Sequence, residues 1–248
     1  MHPALRQLDH RPWPLPAGRW RWRQSWYDLL FAHWPVPAAD LRHLVPESLN
    51  IQEFGGTSWV GVVPFRMAGV MRRPFPDLPW VSAFPELNLR LYVERDGKPG
   101  VWFLSLDATN PLAVWAARRF FYLPYRRARI AFTNGTEGFR FLAHRVGAGS
   151  DMKFEATYRP ISEPAVALPG SLEAFLVERY CLYARSPDGR MFRGEVHHVP
   201  WPLQKAEGNV LAEELLKPHG LSTSGELPLL HYSRGVDVVL WPLEKLAF

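Results

Sequence analysis

Cysteine is almost absent. Cys181 stands alone in 248 residues, so no intrachain disulfide can form and a folded state must rest on its core. There is no run of about 18 uncharged apolar residues, the length a spanning helix needs. Met1 to Trp20 lacks the basic head and apolar stretch of a secretion signal. These absences predict a cytoplasmic protein with no membrane partner. Catalytic signatures are missing as well. Without a Gly-x-Ser-x-Gly elbow, a P-loop or a dinucleotide fingerprint, serine hydrolase, NTPase and nicotinamide chemistry lose their usual support. Without a His-Glu-x-x-His run or an Asp-rich loop, no metal is expected, and no motif implies a cofactor. The sequon Asn134-Gly135-Thr136 then marks only a turn.

What is present points to a large core. Hydrophobic residues make up 47% of the chain and aromatic ones 14%, with 11 Trp, enough apolar surface to fold without staples. The 24 Pro and 18 Gly are spread along the chain rather than gathered in a linker. One domain over residues 1–248 is therefore expected, with 1–18 an irregular N-terminal arm. The net charge of +5 comes from scattered Arg, many alternating with aromatic residues. That pattern predicts no nucleic-acid partner, and the composition is compatible with a homo-oligomer.

Along the chain, short alternating segments separated by turn signals predict a mainly β fold. Strands are expected over Arg19–Phe31, Thr57–Met67, Ala83–Glu94, Gly100–Thr109, Tyr125–Thr133, Phe139–Arg145, Met152–Arg159, Arg179–Arg185, Met191–Val199 and Leu229–Trp241. Asp96 to Gly100 reads as a hairpin loop. Asn110-Pro111 supplies an N-cap and a first-turn proline for a helix over Pro111–Tyr122. Shorter helices are expected over Pro37–Leu44 and Val210–Leu216, and a helical turn after Gly170-Ser171. So few helices against so many strands imply a barrel or a pair of packed sheets, because closure removes exposed edges.

The most informative segment is Phe84 to Glu94. Period two places Glu86, Asn88, Arg90 and Tyr92 on one face and Leu87, Leu89, Leu91 and Val93 on the other. The polar row could face water, or it could line an interior around a polar ligand. Further candidates are Glu178-Arg179-Tyr180, of which Glu178 and Tyr180 are taken as ligand-binding, and His197-His198. Adjacent strand histidines point to opposite faces, so they cannot share a metal. His197 is taken as ligand-binding and as a candidate proton carrier. Cys181, between Tyr180 and Leu182, reads as a small packing residue.

Several segments carry a family resemblance: Leu29 to Trp34, Val60 to Phe65, Glu86 to Arg90, Leu123-Pro124-Tyr125, Glu178 to Tyr183 and His197 to Leu203. Over roughly Trp20 to Trp241 the chain resembles the bacterial YqjF-like family of uncharacterised proteins. That family looks like a branch of the acetoacetate decarboxylase-like superfamily, whose fold is a curved antiparallel sheet closed around a pocket. Leu41 to Ile51 resembles the decarboxylase segment in which a Leu-Arg pair leads into Val-Pro-Glu. Arg118 to Arg126 resembles the stretch where an arginine is followed, seven residues on, by the Schiff-base lysine directly after a proline. Here that position is Tyr125, which cannot form an imine, and Lys98 and Lys153 lie in other segments. The resemblance places Glu86 at the superfamily's pocket glutamate, brings Arg118 into the ligand-binding set and makes Arg90 a candidate pocket arginine.

Three functions follow. An enzyme of lyase or hydrolase type would act on a small oxo or carboxylic acid without an imine. In it Arg90 would fork a carboxylate, Glu86 would move a proton, Tyr125 would donate to an oxyanion and Asn88 would line the same pocket. Alternatively, the pocket binds or senses an anionic or carbonyl-containing ligand without turnover. The third is a nucleic-acid or partner-binding protein using the Arg and Trp content, which would associate with polyanions in a salt-dependent way.

Overall fold

The computed structural model describes residues 2–75, 82–147, 152–223 and 225–247. In chain order the strands are β1 (Trp22–Val36), β2 (Asn50–Ile51), β3 (Ser58–Arg72), β4 (Phe84–Arg95), β5 (Lys98–Ala108), β6 (Tyr125–Gly135), β7 (Gly138–Arg145), β8 (Lys153–Pro160), β9 (Cys181–Arg185), β10 (Met191–His197), β11 (Leu203–Leu211), β12 (Leu229–Leu240) and β13 (Glu244–Lys245). The helices are α1 (Ala38–Leu41), α2 (Pro111–Phe121), α3 (Leu172–Val177) and α4 (Glu213–Leu216).

All of these strands join one sheet, and the sheet forks. Five of them, in the order β12-β1-β3-β4-β5, form a common wall. At one end of the wall, the outer edge of β5 is divided: Val101 and Trp102 pair with β9, while Leu106 to Ala108 pair with β6. At the other end, β12 gives His231 to Ser233 to β11, and Val239 and Leu240 to β10. Two rings of hydrogen bonds result. The wall closes once through β6-β7-β8-β11 and once through β9-β10. The sheet is therefore curved and closed, as expected. It is not wholly antiparallel, because β5 runs parallel to both β6 and β9.

Alternation along the wall strands sends one set of side chains into each ring. Leu87, Leu89 and Leu91 of β4 join Phe141 and Phe154 in the four-strand ring, all of them buried. Phe31, Val63 and Phe65 join Leu182 and Val196 in the two-strand ring. Three irregularities rephase that alternation. On β1, Asp28 takes φ 56, and the inward positions shift from Trp26 to Leu29 and Phe31. On β3, Gly69 at φ 60 lets Met67 and Val70 face the same way. A register shift opposite Leu89 and Arg90 does the same for Phe103 and Leu106 of β5.

The local signals explain most elements. Asp96 and Gly97 both take positive φ, 55 and 68. The β4–β5 connection is thus a two-residue type I′ turn, shorter than the five-residue loop read from sequence. The Asn110 side chain accepts from Leu112 N and Ala113 N, and α2 stops at Tyr122, which is left-handed with φ 54. Ser171 caps α3 through Ala174 N. The expected Val210–Leu216 helix is a correction. Ala206 to Leu211 pair with β8, leaving only Glu213–Leu216 helical. A β-carbon at Gly208 would collide with the Thr157 carbonyl, so glycine lets the two strands approach closely. The N-terminal arm holds a 3-10 turn, Pro3–Arg6, and is pinned by Arg11, whose guanidinium pairs with buried Glu195 and bonds Val196 O. Among the described residues, no helix is long and apolar enough to cross a membrane.

Candidate functional site

The two-strand ring is not filled by its own side chains. It holds a cavity of about 170 Å³, counted as the space in which the centre of a water molecule can move. A single water needs only about 10–15 Å³ on that measure, so a small organic molecule fits. The wall strands supply one side of the cavity, β9 and β10 another, and α2 lies over it through Ala113, Ala116 and Ala117. The inward residues of β4, Phe84, Glu86, Asn88 and Arg90, line it in sequence.

Glu86 lies 2% exposed on β4 and receives a hydrogen bond from the Tyr125 hydroxyl at 2.8 Å. Burial pushes its pKa up to about 8; the Tyr125 hydrogen bond pulls the other way, and Asp107 adds a smaller upward push. At neutral pH the carboxyl is therefore mostly protonated and can donate. Tyr125, at the first position of β6, is held well above its ordinary pKa by burial and by Glu86. Its backbone carbonyl accepts from Arg118 Nε at 2.6 Å. Arg118 thus fixes the strand that carries Tyr125 and does not itself line the cavity.

At the Arg90 end, the guanidinium donates to Tyr92 Oη at 3.2 Å and to Leu176 O at 3.1 Å. The Tyr92 hydroxyl lies 2.6 Å from His33 Nε2. Burial first, then the nearby Arg90 and Arg179 charges, lower the His33 pKa well below its ordinary value, so the ring is neutral and can accept. Gly61 makes room for this contact, because a β-carbon there would lie 2.8 Å from Tyr92 Oη. A second cation, Arg179, enters the cavity beside it. It donates to Phe175 O at 2.7 Å and to Gln52, and it lies over the Tyr92 and Phe175 rings at 5.0 and 4.4 Å. Its Nη2 is buried without a partner, and burial lowers its pKa to about 10. Among the described residues, neither Arg90 nor Arg179 forms an ion pair. A buried, unpaired guanidinium is costly, so the cavity is electrostatically prepared for an anion.

Glu86, Asn88, Arg90 and Tyr125 are therefore brought to one cavity, and the Asn88 Oδ1 there has no partner. Glu178, Tyr180 and His197 are not. Glu178 caps α3, accepts from Trp201 N at 3.0 Å and is bonded by the Tyr180 hydroxyl. His197 lies 2.9 Å from Ala4 O and faces the N-terminal arm. In both segments the neighbouring residue, Arg179 or His198, points inward instead. Burial lowers the His198 pKa to about 4, so it lines the cavity as a neutral ring. Sequence reading missed Arg179 because Glu178 to Tyr180 is irregular, outside any strand, and carries no periodicity to phase. Cys181 also reaches the cavity, and burial raises its thiol to about 12, the state of an unreactive packing residue. Among the described residues no lysine lines the cavity, and no three His, Cys, Asp or Glu side chains cluster as a metal would need.

Solved structures share this architecture at low identity. Acetoacetate decarboxylase from Legionella pneumophila subsp. pneumophila str. Philadelphia 1 matches with TM-score 0.62 and 14% identity, over 94% of this chain and 92% of that one. The enduracididine biosynthesis enzyme MppR, complexed with the condensation product of pyruvate and imidazole 4-carboxaldehyde, matches with TM-score 0.63 and 15% identity, over 91% and 88%. Such likeness shows the fold. In sequence, the chain is 42% identical over 231 residues to the uncharacterised protein YqjF of Bacillus subtilis strain 168, covering 93% of this chain and 95% of YqjF. Residues 23–237 match the model of DUF2071, an uncharacterised conserved protein family, and the chain belongs to that family.

Proposed function

We propose that this protein binds a small oxo acid in the two-strand ring and moves a proton at or beside its carbonyl without forming an imine. The observation that carries the reading is the placement of a protonated acid, Glu86 with Tyr125, and of two cations that form no ion pair among the described residues, along one cavity. Arg90 would hold the ligand carboxylate by a forked pair of hydrogen bonds. Glu86, near 8, is tuned for proton transfer close to neutrality. For enolisation the ionised fraction of Glu86 would take the proton from the carbon beside the carbonyl and become the carboxylic acid, while the Tyr125 hydroxyl donates to the carbonyl oxygen on which negative charge develops. That chemistry suits lyase-type bond cleavage or formation next to a carbonyl. The complex of MppR, a protein of this fold, with the condensation product of pyruvate and imidazole 4-carboxaldehyde is in keeping with this reading. Replacement of the superfamily's lysine by Tyr125 also supports a second reading, ligand binding without turnover.

The test is a thermal-shift screen of keto acids, hydroxy acids and aldehydes on wild type and Arg90→Gln. It is followed by proton exchange of the bound class in deuterated water, read by NMR. Stabilisation of wild type alone, with exchange lost in Glu86→Gln, supports the catalytic reading. Stabilisation without exchange leaves the binding reading. If no oxo acid stabilises the wild type, the small-acid site is wrong.

A further inference from the structure

The cationic and acidic groups of the cavity lie at opposite ends. On β4 a strand advances about 3.4 Å per residue, so the Cα atoms of Glu86 and Arg90 are roughly 14 Å apart and Tyr92 is roughly 20 Å from Glu86. The Arg90 side chain does not turn back toward Glu86. It reaches on to Tyr92 Oη and to Leu176 O on α3. Its guanidinium stands 5.5 Å from the centres of both the Phe31 and Tyr92 rings. Arg179 converges on the same place, 5.0 Å from the Tyr92 ring, with Nη2 unpartnered. At the other end Tyr125 enters from β6 and holds Glu86. Between the two ends lie Asn88, whose Oδ1 has no partner, and the apolar side chains of Val63 and Leu106 on the neighbouring strands, with Phe31 beside them.

We infer that the ligand is an elongated anion: a straight-chain oxo acid whose carboxylate sits between Arg90 and Arg179, and whose carbonyl lies several carbons away at Glu86 and Tyr125. This rests on the oxo-acid reading above and specifies its length. Because Arg90 does not turn back, the polar ends stay separated by on the order of 14 Å, the spacing of their strand positions. An extended chain advances about 1.2 Å per bond, so once a hydrogen bond of about 2.9 Å is allowed at each end, about seven bonds between the terminal oxygens are required. Pyruvate or a 3-oxo acid could touch one end and not both. The apolar side chains between the ends would pack against the methylene chain, and the acid end would meet only the carbonyl. Arg179 is then a specificity-determining residue for length.

The experiment is a homologous series of methyl-ketone acids, from pyruvate and acetoacetate through 5-oxohexanoate to 7-oxooctanoate. Each is added to the full chain at equal concentration, and the shift in Tm is read against the unliganded form of the same variant. The expected result is a shift that grows with length, is largest for acids of six to eight carbons, and falls at least threefold in Arg179→Gln and in Arg90→Gln. Glu86→Gln should flatten the dependence on carbonyl position while keeping binding of the carboxylate. Circular dichroism confirms that each variant is folded before its shifts are compared. If pyruvate or acetoacetate gives the largest shift, or if Arg179→Gln leaves the long acids unaffected, the length inference falls and the oxo-acid site survives. If the whole series is silent on wild type, both fall.

Discussion

The two rings share a wall and differ in what fills them. In the four-strand ring, Phe139, Tyr158 and Tyr232 stack with centroids 5.2 to 6.4 Å apart, and Phe141 and Phe154 meet edge to face at 6.0 Å. In the two-strand ring the same wall presents Glu86, Asn88 and Arg90, and the interior stays open. The difference lies in the partners. β7 and β8 bring large aromatics across the gap, whereas α2 covers the cavity mainly with Ala113, Ala116 and Ala117, with Phe121 at its end. One ring supplies the stability on which the other can keep unpaired charge and empty space.

That division can be broken most directly at Phe141, which is fully buried. Phe141→Ala should cost about 3–5 kcal/mol in denaturant unfolding, whereas Phe103→Ala at the cavity wall should cost clearly less because the space beside it is already open. Similar losses would remove the contrast. A smaller effect concerns Glu86. Its folded pKa is raised, so between the unfolded value near 4.5 and about 8 the native state holds the extra proton. Stability should fall as pH rises through that window and level off above it, by on the order of a few kcal/mol. Glu86→Gln should flatten the curve of Tm against pH and make the variant the more stable form at pH 9; an unchanged slope would remove Glu86 as its source. Arg118→Ala should cost about 1 kcal/mol from one lost hydrogen bond, while lowering any proton exchange by its effect on Tyr125. Smallest of all, Cys181→Ala should leave Tm nearly unchanged, and native protein should resist thiol reagents until unfolded.

Much of this was legible where periodicity is unbroken. The alternation of β4 placed Glu86, Asn88 and Arg90 on one face, and Asn110-Pro111 marked the start of α2. Elsewhere the signal was lost for identifiable reasons. β11 was not read as a strand, and its last two residues, Val210 and Leu211, were read into a helix running to Leu216, because Ala206 to Leu211 acquires strand character from pairing with β8, a tertiary effect. Glu178 and Tyr180 were preferred to Arg179 because irregular backbone carries no phase for choosing between neighbours, whereas His197 was preferred to His198 although it ends β10, whose alternation sends Val196 and His198 inward. The forked sheet could not be read at all, since nothing local says that β5 divides its edge between two parallel partners.

The shared wall gives β4 something like a reading frame. Leu87, Leu89 and Leu91 serve one ring, and the residues between them serve the other. Deleting one residue within the strand would transpose the two sets, sending a carboxyl, an amide and a guanidinium into the aromatic stack and leucines into the cavity. A substitution on β4 is felt by one compartment, whereas a change of length is felt by both. Variation in this strand should accordingly be confined to replacements, with insertions and deletions displaced to the turn at Asp96-Gly97 and beyond.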